Sequence, residues 1–240
     1  MAVFVIVHGA WSGAHAWRWV RPLLRAAGHE VFTPTLTGLG ERSHLVSRQV
    51  DLEIHVQDVV SVLEYEDLRE VVLVGHSYGG MVITGAADRV PEQVAQLVYL
   101  DAEVPGDGQS EYDLLPPDER AGYRSSARAK GAGWLIPPPL PDPLPDDLDP
   151  TLRWVMERMV PQPAATFEQP LRLTNPAGVP VPRTYVLCTA GKEGQALPGY
   201  VQQARSDPAW RFVELPAGHG AHVTAPQQLT EVLLELIQPV

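Results

Sequence analysis

The strongest chemical signal in the sequence is at residues 75–79, which read Gly-His-Ser-Tyr-Gly. This G-x-S-x-G pattern follows the apolar run 71–74 and precedes a segment with helical character, the setting in which a sharp turn exposes a serine hydroxyl. The free N–H groups at the start of the following helix can stabilise a negative charge that develops nearby. The context predicts that Ser77 is a nucleophile and not part of an ordinary glycine-rich turn.

A second candidate group lies at residues 8–10, which read His-Gly-Ala and directly follow the apolar run 3–7. A serine that attacks a carbonyl group needs N–H donors to hold the resulting oxyanion. One donor belongs to the residue after the nucleophile, and the other to a loop after an early strand. We expect the backbone N–H groups of Ala10 and Tyr78 to form this oxyanion hole, with His8 bracing the loop.

A general base for Ser77 is expected near the end of the chain, where residues 218–222 read Gly-His-Gly-Ala-His. His219 comes first after the last predicted strand, so its loop can reach over the sheet. His222 is nearer the last helix, where it can line a pocket. The position favours His219 as the base. A metal site is not expected, because the sequence has neither a cysteine pair nor a His-Glu-x-x-His helix.

The acid that must orient this histidine has two candidates. Glu193 lies in the loop after the apolar run 184–188, which is where the acid of such a triad usually stands. Asp101 directly follows the run 97–100 and can reach the same histidine from below that loop. The position favours Glu193, and Asp101 is the alternative.

A regular scaffold is required to bring these distant residues together. Short β-branched runs alternate with helical segments through the first hundred residues, which predicts an α/β fold with a doubly wound, mostly parallel sheet. Strands are predicted at residues 3–7, 31–35, 71–74, 97–100, 184–188 and 211–215. Helices are predicted after Asp51, after Ser77 and over 227–237.

Proline interrupts this alternation in the middle of the chain. Of the 24 prolines, 16 lie between Pro105 and Pro182, where they break helices and strands alike. The chain is therefore divided into a first core part at 1–104, an insertion at 105–182 and a second core part at 183–240. We expect the insertion to form a proline-rich helical cap over a cleft, with a helix that starts at Asp149. Candidates for the lining of the cleft are Trp11, His76, Trp134, Trp154 and His222.

Composition excludes several classes of partner. The formal net charge of −11 repels phosphate backbones and anionic lipids, so neither nucleic acid nor a membrane surface is expected as a partner. The lone cysteine, Cys188, cannot form an internal disulfide, and the apolar run at the N-terminus is too short for a signal peptide. On these grounds we expect a cytoplasmic protein.

Together, these motifs resemble the α/β-hydrolase superfamily, and within it the plant methylesterases and hydroxynitrile lyases with their bacterial esterase relatives. The resembling pieces are residues 7–17, 75–79, 185–189 and 217–219, the last leading to Pro226. The resemblance implies an acyl-enzyme mechanism that needs no cofactor. Relatives in this group often pair, which leaves the oligomeric state open between a monomer and a homodimer. The catalytic histidine of the group lies seven residues before such a proline, which again indicates His219.

Departures from this group distinguish between its activities. Two ways of counting locate the position that corresponds to the triad aspartate of the group. Counting forward from the Cys-Thr strand end gives Gly191, and counting back from the following Leu-Pro gives Glu193. Hydroxynitrile lyases carry a lysine after the catalytic histidine and a threonine after the first-strand histidine, where this chain has Gly220 and Gly9. The sequence therefore favours an esterase over a lyase, and an apolar cap over a small cleft predicts small or medium hydrophobic esters. The alternatives are a lyase, lactonase, thioesterase or C–C hydrolase, or a non-catalytic small-molecule binder.

Overall fold

The computed structural model describes residues 1–175 and 180–237 of the chain. Its strands are β1 Val3–Val7, β2 Glu30–Phe32, β3 Val71–His76, β4 Val94–Leu100, β5 Leu135–Ile136, β6 Gln162–Pro163, β7 Arg183–Cys188 and β8 Trp210–Leu215. Six of them form one parallel sheet in the order β2-β1-β3-β4-β7-β8, and β5 and β6 form a separate antiparallel pair. The chain thus winds outward from β1 in both directions, which confirms the doubly wound parallel sheet predicted from the sequence.

Helices flank the sheet and occupy much of the insertion. They are α1 Arg21–Ala26, α2 Leu52–Tyr65, α3 Gly79–Arg89, α4 Glu111–Leu114, α5 Pro117–Lys130, α6 Pro150–Met156, α7 Ala165–Glu168, α8 Gly199–Ser206, α9 Ala221–Thr224 and α10 Pro226–Glu235. Short 3₁₀ turns lie at Ala14–Trp17, Gly40–Leu45 and Pro91–Gln93. Within residues 1–175 and 180–237, none of the helices has the length and apolar character needed to cross a membrane.

The predicted strands are present, with changes at their ends. β2 ends at Phe32, short of the predicted residue 35, because Pro34 has no N–H for the strand ladder. The N–H of Leu36 is also diverted, since it donates to Nε2 of His8 at 3.0 Å. β4 begins at Val94, three residues before its predicted start, in register with the first residue of β3. The carboxyl ends of β4 and β7 lie where the sequence predicts them, whereas β3 continues two residues beyond its predicted end, to His76.

The hydrophobic core has two halves, one on each face of the sheet. In β1, Val5 and Val7 pack in the cluster that includes α2 and α3, whereas Phe4 and Ile6 pack in the cluster that includes α1 and α10. All four side chains are completely buried. Because successive strand residues point to opposite faces, a continuous apolar run of this kind fits a strand covered on both sides.

The insertion contains α4 to α7 and the β5–β6 pair. Its proline-rich residues 137–145 form neither helix nor strand, in keeping with their lack of backbone donors. The helix predicted from Asp149 is α6, whose first N–H groups, those of Thr151 and Leu152, donate to the Asp149 carboxylate. This helix contacts α9, which directly follows the loop of the candidate base His219.

Candidate active site

The candidate catalytic residues meet at the carboxyl edge of the parallel sheet. His76 at the end of β3 pairs with Leu100 at the end of β4, so Ser77 and Asp101 follow adjacent strands. The N–H of Ser77 donates to Leu100 O at 3.3 Å, and that of Asp101 donates to Val186 O at 2.8 Å. Sites in parallel α/β sheets form at this edge because the loops after each strand converge there.

Ser77 stands on a tight left-handed turn with a φ of 53°. L-residues rarely adopt this conformation, and it is concentrated at functional sites. The turn requires glycine on both sides: a Cβ at Gly75 would lie 2.6 Å from Gly79 O, and one at Gly79 would lie 2.7 Å from Val7 O. Among residues 1–175 and 180–237, the hydroxyl of Ser77 has no hydrogen-bond partner, so it is available to a ligand.

His219 is oriented by Asp101. Its Nδ1–H donates to Oδ2 of Asp101 at 2.7 Å, and the Asp101 side chain is only 2% exposed. Burial alone raises the pKa of Asp101, but the hydrogen bonds from His219 and Lys192 outweigh burial and lower this pKa below its usual value. Asp101 is therefore anionic at neutral pH. The proton of the pair stays on Nδ1 of His219, and Nε2 is left as a base.

The second oxygen of the Asp101 carboxylate is held by two other donors. Oδ1 accepts a hydrogen bond from Nζ of Lys192 and another from the N–H of Cys188, the latter at 3.3 Å. These contacts fix the carboxylate so that Oδ2 faces His219. Sequence reasoning missed Lys192. Its only sequence signal is that it directly follows Gly191, where counting from the Cys-Thr strand end places the triad aspartate of the resembling group.

Glu193, the acid favoured by the sequence, is not brought to His219. It is exposed, and its Oε1 accepts the N–H of Gly191 within the same loop at 3.3 Å. The neighbouring Lys192 points the other way and pairs with Asp101. The geometry therefore favours Asp101, the alternative acid, because the loop after β7 turns its glutamate outward and its lysine inward.

The second histidine of the loop, His222, has a different environment from His219. Its ring stacks on Trp17 with centroids 4.7 Å apart, and burial lowers its pKa to about 3. Its Nδ1 has no partner in the part of the chain that the structure describes. His76 lies 4.5 Å, between ring centroids, from both histidines, and its Nε2–H donates to the carbonyl of His219 at 2.9 Å. His76 therefore anchors the His219 loop to the elbow of Ser77.

The two expected oxyanion donors lie beside the elbow. The loop after β1 touches it so closely that a Cβ at Gly9 would lie 3.0 Å from Cβ of Ser77. Across the described residues, the N–H groups of Ala10 and Tyr78 have no acceptor, so both can donate to a ligand. His8 braces this loop as expected, since its Nδ1–H donates to Gly9 O at 2.8 Å and its Nε2 accepts a backbone N–H.

The three tryptophans predicted to line the cleft have different surroundings. Trp11 directly follows Ala10 and hydrogen-bonds to the insertion. The Trp134 ring lies 5.1 Å from a guanidinium group of the core. The Trp154 ring packs against the guanidinium groups of Arg18 and Arg158 at 4.6 and 4.1 Å. Of the three, Trp11 is the one that adjoins an expected oxyanion donor.

This set of groups suits nucleophilic acyl transfer. It combines a half-buried hydroxyl on Ser77, an imidazole on His219 whose Nδ1–H is held by Asp101, a buried carboxylate on Asp101 and, among the described residues, two N–H groups without acceptors. No group of three or more histidine, cysteine, aspartate or glutamate side chains able to hold a metal ion is found in residues 1–175 and 180–237.

Buried titratable groups surround the site. The buried histidines are His8, His55, His76 and His222. Burial lowers the pKa of His8 and of His55 to about 4, lowers that of His222 to about 3 and lowers that of His76 well below its usual value. Two carboxyls act in the opposite direction, since burial raises the pKa of Glu103 to about 7 and that of Glu111 well above its usual value.

We expect folding stability to fall steeply as the pH decreases from about 6.5 to about 4. A histidine with a lowered folded-state pKa contributes stability above its unfolded pKa of 6.5, and this stability is lost as the pH falls toward the folded value. The lowering of the His8 pKa from 6.5 to about 4 corresponds to about 3 kcal/mol. Four histidines act in this direction and two carboxyls oppose them. A loss of this size at one histidine is already a large fraction of the stability of a domain, so the net decrease should be measurable.

Urea unfolding midpoints at intervals between pH 8 and pH 5 measure this effect. The unfolding slope should stay constant while the midpoint drops below pH 6.5, because only the stability changes. Equal midpoints at pH 7 and pH 5 would contradict the prediction.

Comparisons with known proteins cover nearly the whole chain. The profile of the alpha/beta hydrolase family matches residues 4–232. A carbendazim-hydrolysing esterase from Nocardioides sp. (strain SG-4G) is 42% identical over 244 residues, which cover 98% of this chain and 100% of that protein. Methylesterase 1 of Arabidopsis thaliana is 25% identical over 97% of this chain and 95% of its own. A solved structure, an extracellular alpha/beta-hydrolase from a Paenibacillus species, has a TM-score of 0.84 and 26% identity and covers 98% of both chains.

Proposed function

The chain belongs to the alpha/beta hydrolase family and is an esterase, and we propose that it cleaves small or medium hydrophobic carboxylic esters through a Ser77–His219–Asp101 triad. The observation that carries the proposal is the 2.7 Å hydrogen bond from His219 to Asp101, next to the left-handed turn of Ser77. It supplies the base with an orienting acid, which is the part of the triad that the sequence left open.

In the proposed reaction, Nε2 of His219 takes the proton of the Ser77 hydroxyl while Oγ attacks the ester carbonyl carbon. The oxyanion that forms accepts hydrogen bonds from the N–H groups of Ala10 and Tyr78, which are fixed before the reaction begins. His219, now positively charged and held by the Asp101 carboxylate, gives its proton to the alcohol oxygen as the C–O bond breaks. The alcohol leaves, and the acyl group stays on Ser77.

Deacylation repeats these steps with water as the nucleophile. His219 takes a proton from water, and the water oxygen attacks the acyl carbon. The same oxyanion forms, and His219 returns the proton to Oγ of Ser77 as the acyl–oxygen bond breaks. The carboxylic acid is released and the enzyme is regenerated, so water is the only co-reactant that the scheme uses.

The preference for hydrophobic esters is supported by an aromatic wall next to the elbow. Phe167 of the insertion stacks on the ring of Tyr78 at 5.5 Å and meets the ring of Trp11 at 5.7 Å between centroids. Tyr112 and Tyr123 lie against the same phenyl ring at 5.7 and 5.9 Å. Tyr78, Tyr112 and Phe167 are almost completely buried, whereas Trp11 and Tyr123 are half-buried and are the members of this cluster that the apolar part of a small ligand can contact. The names of the relatives, a carbendazim-hydrolysing esterase and a methylesterase, support the ester class.

An organophosphonate probe tests whether the site is competent. We expect the probe to add to Ser77, because only a serine activated by a base attacks the phosphorus atom at a useful rate. Mass spectrometry of the proteolytic peptides locates the adduct, and heat-denatured protein is the control. A non-catalytic binder would stay unlabelled in both samples.

A substrate panel then identifies the reaction. We expect p-nitrophenyl esters with short and medium acyl chains to be hydrolysed with a higher kcat/KM than long-chain esters, because we propose that the insertion forms a cap that limits the space above Ser77. Cyanohydrins, lactones and thioesters are tested beside them. Turnover of a cyanohydrin without turnover of any ester would overturn the esterase proposal in favour of a lyase.

A further inference from the structure

Trp11, the residue after the expected oxyanion donor Ala10, is held entirely by the insertion. Its N–H donates to Oε1 of Gln162 at 3.0 Å, and its indole Nε1–H donates to Ile136 O at 2.9 Å. Its carbonyl oxygen accepts the N–H of Val160, also at 2.9 Å. Trp11 has a φ of 60°, a left-handed conformation that bulky residues keep only when their surroundings impose it.

Gln162 is oriented by its own hydrogen bonds. The side chain is completely buried. Its Nε2 donates to Oγ1 of Thr166 at 2.7 Å, and the Thr166 hydroxyl donates in turn to Pro163 O at 2.7 Å. Since that carbonyl can only accept, the Thr166 hydroxyl must donate to it and is left as an acceptor for the amide. The carbonyl oxygen of Gln162 therefore has to face Trp11.

The other oxyanion residue is contacted by the same part of the insertion. Phe167, next to Thr166 on α7, stacks on the Tyr78 ring with centroids 5.5 Å apart and planes inclined by 21°. The Tyr78 hydroxyl is fixed at its far end, where it donates to Nδ1 of His55 at 3.0 Å. Residues 162–167 therefore contact both sides of the expected oxyanion hole.

The loop after β1 offers two neighbouring N–H groups, and only one of them can serve the oxyanion. If Trp11 relaxed to an ordinary backbone conformation, the peptide between Ala10 and Trp11 would rotate and the Trp11 N–H would lose its acceptor. We propose that Gln162 is a positioning residue for the oxyanion hole: its Oε1 holds the Trp11 N–H, so that the Ala10 N–H is presented to the oxyanion. This inference rests on the proposed esterase function.

A second glutamine of the insertion provides a matched control. Gln169 also binds the core through both ends of its amide, since its Oε1 accepts the N–H of Glu53 at 2.8 Å and its Nε2 donates to Oδ2 of Asp51 at 2.9 Å. These partners lie at the start of α2 and not in the oxyanion loop. Each glutamine makes two hydrogen bonds through its amide, but only Gln162 binds a residue next to an oxyanion donor.

The experiment compares Gln162→Met with Gln169→Met. We expect Gln162→Met to lower kcat for a p-nitrophenyl ester by roughly 10- to 100-fold with little change in KM, because a misplaced donor weakens binding of the transition state and not of the ester. Gln169→Met should keep the wild-type kcat. The thermal midpoint of each variant shows how much stability each loss of hydrogen bonds costs.

Affinity for a boronic acid distinguishes a misplaced oxyanion donor from a general loss of rigidity in the site. A boronic acid forms a negatively charged tetrahedral adduct with the serine, so it needs the oxyanion donors, whereas a ketone of the same shape that stays unreacted does not. We expect Gln162→Met to weaken boronate binding by about the same factor as kcat and to leave ketone binding unchanged. Thr166→Val provides a second test if Gln162→Met fails to fold. It removes the hydroxyl that orients the Gln162 amide and that also hydrogen-bonds to the Tyr78 side chain, and it should show the same pattern with a smaller loss.

Three results would overturn the inference. An unchanged kcat in both Gln162→Met and Thr166→Val would show that the loop positions itself. Equal losses of kcat in Gln162→Met and Gln169→Met would show that the glutamines act only by holding the insertion in place. If the wild-type protein hydrolyses no ester, the proposed esterase function fails, and the inference about Gln162 fails with it. If the wild-type protein is active and Gln162→Met has the same kcat, only the inference about Gln162 is rejected.

Discussion

Ser77→Ala is expected to lower kcat for ester hydrolysis by roughly 10⁴- to 10⁶-fold, which leaves only the catalysis that binding and the oxyanion hole supply without a nucleophile. In the proposed reaction the hydroxyl oxygen of Ser77, on its left-handed turn, forms the bond to the acyl carbon, which an alanine methyl group cannot do. Because the hydroxyl has no partner among the described residues, its removal leaves no buried polar group unsatisfied. The fold and the thermal midpoint should therefore be unchanged.

Active-site titration with a p-nitrophenyl ester, with both the burst and the steady-state rate followed, measures this loss. Ser61→Ala is the control, since Ser61 lies on α2 and hydrogen-bonds to Gln57 on the same helix. It should keep full activity. A Ser77→Ala variant that retains more than about one-tenth of the wild-type rate would rule out an acyl-enzyme on this residue, because losses at a nucleophile are orders of magnitude larger.

Asp101→Asn is expected to lower kcat by about 10⁴-fold, while Glu193→Gln leaves it within about twofold. Asp101 accepts the Nδ1–H of His219 at 2.7 Å, which leaves Nε2 free to take a proton. An asparagine amide can turn its NH₂ group toward Nδ1, so that the proton moves to Nε2 and the ring can no longer act as a base. Glu193 bonds only within its own exposed loop, so its charge has no part in this arrangement.

The pair of variants is matched, because each replaces one carboxylate oxygen by an amide nitrogen without changing the size of the side chain. Their rates are compared from pH 6 to pH 9, with the thermal midpoint recorded for each. Asp101→Asn also removes the charge that pairs with Lys192, so some stability is lost along with activity. A large loss of activity in Glu193→Gln with a nearly normal Asp101→Asn would restore Glu193 as the acid of the triad.

Much of the fold could be predicted from the sequence because it depends on local patterns. The continuous apolar runs of β1 and β3 indicate strands covered on both faces, and both faces of the sheet are indeed packed. The elbow is equally local: its glycines at 75 and 79 are required by backbone atoms a few residues away or on the adjacent strand β1. Strand ends were harder to predict, since β2 stops early where the N–H of Leu36 is taken by His8, a residue 28 positions away.

The carboxylate that meets His219 and the support of the loop after β1 depended on contacts between distant parts of the chain. Asp101 and His219 are 118 positions apart, and the choice between Asp101 and Glu193 depended on which side chain of the loop after β7 turned inward. Trp11 and Gln162 are 151 positions apart, and a buried amide has no sequence pattern of its own.

The sequence by itself determined the sheet, the turn that exposes Ser77 and the loop that carries His219, because strand pattern, glycine spacing and chain order are local properties. Tertiary structure alone decided which carboxylate meets the His219 imidazole and which side-chain amide holds the loop after β1. The physical reason is that a hydrogen bond needs its two atoms about 3 Å apart. Side chains far apart in the sequence reach that distance only after strands, loops and insertion have packed.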